Sequence, residues 1–364
     1  MARPVKTLFL SLYPIDGASA RYRVYQFIPQ LERLGIECTV DDFYSADHYR
    51  LMMSSGAVAK KIARLARAYA KRIAKVLQSG RYDVVFFHRE AAPVGPVFLE
   101  PLARRLGART IFDFDDAIFT PQANPSRFFN LLKSGKRIER ILGSVDCVCA
   151  GNDFLADHAR RFNSCVEMIP GAEDMSRYDV EPKGLEPGTF TVGWTGSPTT
   201  DHYLELLKPA LQRLAARIDN FRFVVIGSSG RFQCPGVRVV HLPWSRQDEA
   251  AFIRSFDVGV MPLGTDSWSK GKCGGKARIY MAAGVPPVAS AVSYNHELID
   301  NGRTGILVEP DGDWFEPIYG LYNNPGFRRQ MAAAARRQVA ETLSVEVIAP
   351  QMAEMIRRVA TGRS

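Results

Sequence analysis

Lys270, Lys272 and Lys276 stand together in one short glycine-rich run, SKGKCGGKARIYMAAG. Ammonium groups beside bare glycine amides, with a helix about to start, make a seat for an anion, most simply a phosphate. Gly274 belongs to the same turn. GWTGSP offers a second seat of this kind: Gly196 makes the turn, and Ser197 followed by Pro198 reads as an N-cap and a first helical residue. The third concentration is acidic. Asp113, Asp115 and Asp116 close the apolar run in TIFDFDDAIF. Carboxylates this crowded are costly to bury alone, so they either meet arginines or face an open cleft. There they would bind hydroxyls, act as a general base or hold a cation. Strand alternation puts Asp113 and Asp115 on one side and Asp116 on the other.

His88, Arg89 and Glu90 follow the apolar run YDVVFF. His88 admits two readings: it orients an acceptor hydroxyl or moves a proton, or it is hydrogen-bonded packing. Nearer the amino terminus, the loop Asp16–Gly17–Ala18–Ser19 follows a strand-like run. Gly17 would let the backbone approach a ligand. Arg21 and Arg23 open the next helix and either meet an anion there or are solvated.

The elements that must position these groups alternate regularly. Val5 to Leu12 reads as a buried parallel strand, Tyr22 to Leu34 as a helix stopped by Gly35, and Ile36 to Val40 as the next strand. Further strands fall at Asp83–Phe87, Thr110 onward, Val145–Ala150 and Val166–Ile169, with helices at Arg127–Leu142 and Asn152–Phe162 between them. The segment EPKGLEPG, 181–188, is rich in proline, glycine and charge and reads as a linker. The β/α alternation then restarts: strands at Phe190–Trp194, Phe221–Ile226, Val237–Leu242 and Asp257–Met261, and helices from about Ser197 to Arg217 and at Gln247–Ser255. The lysine loop leads into a helix at Lys276–Ala283, a strand at Val288–Ala291 and a short helix at Tyr294–Asp300. In open α/β sheets, ligands bind at the carboxyl ends of the strands. Every group named above sits at such an end.

GKCGGKARIYMAAGVPPVAS followed by HELIDNGRTGILVEP resembles the donor-binding segment of family 4 glycosyltransferases, the glycosyl transferases group 1. DGASARYR and DFDDAIF resemble the amino-terminal glycine loop and a second segment of some members. The resemblance implies an α/β protein of GT-B fold, two Rossmann-like domains with parallel sheets facing across a cleft. Residues 1–180 would form the acceptor-side domain and 189–345 the nucleotide-sugar-binding domain, with a final helix in 346–364 crossing back to the first. It also implies transfer of a sugar from a nucleotide-sugar donor to a glycan, lipid-linked or other hydroxyl acceptor, with retention of configuration and with neither metal nor cofactor. In that setting Lys272, Lys276, Asp115, Asp116 and His88 are the catalytic candidates. Gly196, Ser197, Lys270, Gly274 and Glu297 would bind the donor, and Gly17 and Arg21 would line the acceptor-side loop. The chain departs from the family at Gly271 and Ile279, where members often carry glutamates; Asp266 and Glu297 are stand-ins. Those departures keep two alternatives open: a catalytically reduced binder of nucleotide sugars or glycans, and a nucleotide-sugar epimerase.

Composition sets the outer bounds. At 364 residues, 46% hydrophobic and 23% charged, the chain is globular and long enough for two cores. Its net charge of +9 favours anionic partners. The six cysteines show no C-x-x-C pair, and reduced thiols in a cytoplasmic protein are expected. No run approaches the ~18 apolar residues of a spanning helix. Val58–Leu77 reads as a helix with Val58, Ile62, Leu65, Tyr69, Ile73 and Val76 on one face. Lys60, Lys61, Arg64, Arg67, Lys71, Arg72 and Lys75 lie between them. That basic face is either solvated or meets an anionic membrane surface. A nucleic-acid partner is not expected, since no aromatic residues interleave as stacking platforms.

Overall fold

The computed structural model describes residues 3–53, 56–120, 135–184 and 186–362. The chain divides into two compact units, one formed by Met1–Ala172 with Val345–Ser364 and the other by Glu173–Ser344. Each is built on its own parallel sheet.

In the first unit, β1 (Val5–Ser11), β2 (Ile36–Asp42), β3 (Val84–His88), β4 (Arg109–Phe114), β5 (Cys147–Ala150) and β6 (Val166–Met168) lie in the order β2-β1-β3-β4-β5-β6. All neighbours pair in parallel. β3 and β4 are buried on both faces, as the apolar runs VVFF and TIF require of central parallel strands. Register places Ser11 beside His88 and His88 beside Asp113, so three polar strand ends come side by side. The segment after β1 differs from the single helix that its sequence suggests. A short helix at Ala18–Ala20 widens into a π-helical turn at Arg21–Tyr25, and regular helix resumes at Ile28–Arg33. The wide turn buries Arg21, Tyr22, Arg23 and Val24 together, which a regular helix would leave partly facing water. The carboxyl-terminal helix Val345–Ala360 buries Val345, Ile348, Met352, Met355, Ile356 and Val359 in this unit.

In the second unit, β7 (Phe190–Thr195), β8 (Phe221–Ile226), β9 (Val239–Leu242), β10 (Val258–Met261), β11 (Pro287–Ser290) and β12 (Ile306–Val308) take the order β12-β11-β10-β7-β8-β9. Chain reversal of strand order occurs at β7 and β10, which pair with each other at the centre. Two glycines there make room for rings. A methyl group on Gly193 would sit 2.2 Å from the Phe256 ring, and one on Gly259 would sit 2.4 Å from the Tyr280 ring.

Four expectations need correction. The passage between units lies at Ala172–Glu173, not at 181–188. Lys183 N donates to Ala251 O, and Arg222 Nη2 donates to Gly184 O, so the Pro/Gly-rich segment is packed onto the second unit. The helix that follows β7 does not begin at Ser197. A turn precedes a 3-10 segment at Asp201–Leu207, and regular helix starts at Lys208. The cysteines are not all reduced: Cys147 and Cys165 form a disulfide between the starts of β5 and β6. The pairing joins residues directly opposite in neighbouring strands, one step before Val148 pairs with Val166, which a search for C-x-x-C spacing does not reveal. In the Val58–Val76 helix the faces are not as periodicity divides them. Val58 and Ile62 are 66% and 62% exposed, while Arg72 is fully buried and donates to Ser11 O and Asp41 O. Burial pulls the Arg72 guanidinium down to about 10, against the pull of Asp41. The helix read at Arg127–Leu142 is seen as Gly135–Ser144; residues 127–134 lie outside the described residues.

Candidate functional site

In the first unit, three strand ends assemble a chain of hydrogen-bonded charged and polar side chains. Arg23, from the wide helical turn, donates through Nε to both Asp113 oxygens at 3.1 and 3.2 Å, and through Nη2 to Oδ1. Its Nη1 reaches Ile169 O at 2.6 Å. The other side of Asp113 meets His88 Nδ1 at 2.8 Å, and His88 Nε2 lies 3.0 Å from Ser19 Oγ. Ser19 Oγ is 2.7 Å from both oxygens of Asp115. Arg89 then joins Asp115, at 2.8 Å through Nη2, to Asp116. Asp113 and His88 have no exposed surface, whereas the Asp115 and Asp116 side chains each keep 17%. The accessible end of the chain is therefore carboxylate.

The electrostatics follow. Burial alone pushes Asp113 upward, but the Arg23 guanidinium and the His88 hydrogen bond outweigh it and hold the carboxyl below its usual range. Asp115 behaves alike: Arg89 first, then His88 and the Ser19 hydrogen bond, overcome burial and keep it well below the ordinary carboxylate value. Both groups are anions at neutral pH. Arg89 holds its position with a left-handed backbone, φ +58°, while its N–H donates to Asp113 O at 2.8 Å. A non-glycine residue in that region marks a place where surrounding contacts override local preference.

Sequence alternation separates Asp115 from Asp116, and the structure does not. β4 ends at Phe114, the chain bends, and one arginine spans both carboxylates. Arg23 is not a surface anion-binding group but the buried partner of Asp113. Gly17 serves packing: a methyl group there would lie 2.7 Å from Tyr13 Cβ and 3.2 Å from Pro14 O. Arg21 is 4% exposed and lies over the Tyr22 ring at 4.8 Å. Ser19 and Arg89 are the participants that sequence reasoning passed over. The signal for both was adjacency, to Gly17 and to His88, at strand ends.

In the second unit the lysine loop is mounted on β7 and β10 by Tyr280. Its ring packs on Gly259, its hydroxyl accepts from Thr195 N at 2.9 Å, and it donates to Val260 O at 3.2 Å. The helix Gly275–Ala282 starts from Gly274, whose φ of +63° suits glycine; any side chain there would also strike Leu298 at 2.7 Å. One turn on from Gly275, Arg278 is buried against Glu173 at 2.9 Å and reaches Cys273 O at 3.3 Å, pinning the loop from below.

Gly196 and Lys276 are brought together. A methyl group on Gly196 would sit 3.0 Å from Lys276 Cε and 2.3 Å from the Trp194 indole, and Lys276 Nζ lies 5.4 Å from the centre of that ring. Lys272 Nζ lies over Trp268 at 4.2 Å. Lys270 closes the short helix Ser267–Lys270, is exposed, and its carbonyl accepts from Ser293 Oγ. Ser293 is itself left-handed, φ +49°. Ser197 caps no helix; its hydroxyl meets Thr199 Oγ1 at 2.8 Å. Asp266, a stand-in for a missing acid, instead caps the Ser267–Lys270 helix, accepting from Trp268 N and Ser269 N. Glu297 is exposed on the short helix Asn295–Leu298. Gly227, φ +76°, backs onto Gly196 O and Trp244, and the Trp244 indole N–H donates to Glu249 at 2.8 Å. Among the described residues, one group of side chains could hold a metal ion, Cys147, Cys165 and Glu167; its cysteines are joined to each other, and Glu167 is paired with Arg358.

Comparison with known proteins shows what the second unit and the fold are similar to. Residues 189–324 match the family model described as glycosyl transferases group 1. A D-inositol 3-phosphate glycosyltransferase of Pseudarthrobacter chlorophenolicus is 28% identical over 247 residues, 56% of each chain. One from Arthrobacter sp. is 36% identical over 97 residues, 26% of this chain and 22% of the relative. The chain thus spans about half the length, or less, of the curated relatives it matches. Among solved structures, Anabaena HepE in complex with UDP and glucose aligns with a TM-score of 0.64 at 14% identity, over 97% of this chain and 99% of that one. Sucrose-phosphate synthase from Thermosynechococcus elongatus aligns with 0.67 at 16%, over 99% and 100%. At such identity they establish the fold, which is GT-B. Residues 189–324, in the second unit, are thus similar to the glycosyl transferases group 1 family.

Proposed function

We propose that the protein is a hexosyl- or related glycosyltransferase that takes a sugar from a nucleotide-sugar donor bound by the second unit. The observation that carries this reading is the placement of Lys276 against Gly196 at the carboxyl end of β7. A bare glycine backbone and an ammonium side by side, next to the Gly274 turn and its helix start, suit the diphosphate of such a donor. As the donor's glycosidic bond breaks, negative charge collects on the departing nucleoside diphosphate. Fixed cations there lower the barrier more than they stabilise the ground state. Lys276 is the leading group for that role, with Lys272 and Lys270 beside it in sequence. That HepE was solved with UDP and glucose makes a uridine nucleotide the first donor to try.

The acceptor is a hydroxyl-bearing molecule, and in this reading Asp115 and Asp116 of the first unit accept from its hydroxyls. Transfer proceeds with retention and without a metal, the departing phosphate taking the acceptor proton. The Val58–Val76 helix supplies a docking face for an anionic membrane in which a lipid-linked acceptor resides. Val58 and Ile62 are exposed beside Lys60, Arg67 and Lys71, and the helix carries no acidic residue. Among the described residues no helix is long and apolar enough to cross a membrane.

The test is incubation with a panel of nucleotide sugars, following thermal stabilisation and release of nucleoside diphosphate, with Lys276→Ala in parallel. Stabilisation by one donor that disappears in the variant supports the reading. No stabilisation by any donor or free nucleotide sinks it.

A further inference from the structure

The chain of groups from Arg23 to Asp116 has a definite hydrogen inventory. Ser19 carries one hydroxyl hydrogen and has three polar neighbours: Asp115 at 2.7 Å, His88 Nε2 at 3.0 Å and Arg89 Nε at 3.2 Å. A guanidinium N–H only donates, so Arg89 consumes an acceptor position on Ser19 Oγ. An ionised carboxylate only accepts, and two oxygens at 2.7 Å without a hydrogen between them repel. The hydroxyl hydrogen therefore lies on the Asp115 side. That leaves the contact with His88 to be closed by a hydrogen on Nε2. At the other ring nitrogen, Nδ1 faces Asp113 at 2.8 Å, and Asp113 is already held as an acceptor by Arg23. Nδ1 must donate as well.

We infer that His88 carries a hydrogen on each ring nitrogen, and that Ser19 is a positioning residue that collects donations from His88 and Arg89 and spends its own hydrogen on Asp115. In this arrangement His88 is not a base waiting for a substrate hydroxyl; it is fully buried, with Asp113 on one side and Ser19 on the other. Its effect reaches the substrate through Asp115, whose carboxylate Ser19 aims and Arg89 shares with Asp116. The hydrogen placement is independent of the glycosyltransferase reading. Its kinetic consequence rests on that reading.

The experiment is nitrogen-15 NMR of the full-length protein labelled at histidine, near neutral pH. His88 is assigned by the signals absent from His88→Gln. Two ring N–H signals are expected in the wild type. In Ser19→Ala the Nε2–H signal should vanish through exchange or shift, with Nδ1–H kept; Ser19→Thr, which retains the hydroxyl, should keep both. A wild-type Nε2 without hydrogen would overturn the inference, because Ser19 would then donate to the ring and not to Asp115. So would an Nε2–H unchanged in Ser19→Ala. The wild-type spectrum and the threonine variant decide the matter even if Ser19→Ala does not fold. Where a donor and acceptor are in hand, Ser19→Ala should lower kcat by roughly tenfold with the donor KM unchanged, and Ser19→Thr should restore it. A protein with no transferase activity would remove the kinetic arm and the proposed function together, while leaving the spectra to judge the hydrogen placement.

Discussion

The two candidate sites use charge in opposite ways. At the strand ends of the first unit, arginine, aspartate and histidine alternate in a buried line, and each charge leans on the next. At the strand ends of the second unit, Lys276 and Lys272 are half-buried and lie over the faces of Trp194 and Trp268, with glycine turns beside them. The first arrangement fixes the direction of a few carboxylates and leaves little room for adjustment. The second gathers positive charge and glycine backbone in one loop, the chemistry that the proposed anion seat requires. Removing a charge should therefore damage folding in one unit and ligand binding in the other.

The largest effect is expected at Arg23. Arg23→Leu strands Asp113 in a site with no exposed surface, and breaking a buried pair from one side costs about 3–5 kcal/mol. Denaturant unfolding of the full chain measures it. The double variant Arg23→Leu with Asp113→Leu should recover much of the loss, since the unpaired charge is gone. A cost below about 1 kcal/mol for the single change would mean that the line of charges is not what fixes this site.

Lys276→Ala should do the reverse. The side chain is only half-buried and its ammonium lies over the face of Trp194, so the unfolding midpoint should move little. Affinity for a nucleoside diphosphate should fall roughly ten- to a hundredfold, the worth of about 1.5–3 kcal/mol for a hydrogen bond to a charged group. Calorimetric titration with UDP reads it. Unchanged affinity together with a large loss of stability would erase the contrast between the two sites.

The contrast was only half legible in the sequence. Strand runs such as VVFF and TIF and the restart of alternation after residue 188 give away two parallel sheets, because buried parallel strands demand continuous apolar runs. The lysine loop was legible for a local reason: its glycines, lysines and helix start are neighbours in the chain. The carboxylate site was not, because its meaning is long-range. Arg23 meets Asp113, 90 residues on, and Ser19 meets His88, 69 residues on; no local pattern announces either pairing. The wide helical turn that turns Arg23 inward likewise has no signature in RYRVY that distinguishes it from an ordinary helix. The Cys147–Cys165 disulfide was missed for the same reason, since it depends on which strands lie side by side.

Acid should separate the units further. Asp113 and Asp115 are held below the ordinary carboxylate value of 3.8 in the folded chain. A depressed folded value means stability that is fully present above the unfolded value and is lost as pH falls through the folded one. Thermal unfolding recorded from neutral pH downward should therefore lose stability below about pH 4. The loss should be smaller in Asp113→Asn. The same slope in wild type and variant would show that other carboxylates carry the acid response.

The smallest effects on folding belong to the exposed end of the Val58–Val76 helix, and they test the proposed membrane face. Val58 and Ile62 are more than half exposed, so Val58→Ser and Ile62→Ser should change stability by no more than about 0.5 kcal/mol. If that face docks on lipid, the same changes should weaken sedimentation with vesicles containing phosphatidylserine. Lys60→Gln and Lys61→Gln should each cost about 1 kcal/mol of vesicle affinity, and added salt should mimic them. Binding that survives all four substitutions would place the contact elsewhere. No binding to anionic vesicles at low salt would return this helix to an ordinary solvated surface, where exposed valine and isoleucine need no partner.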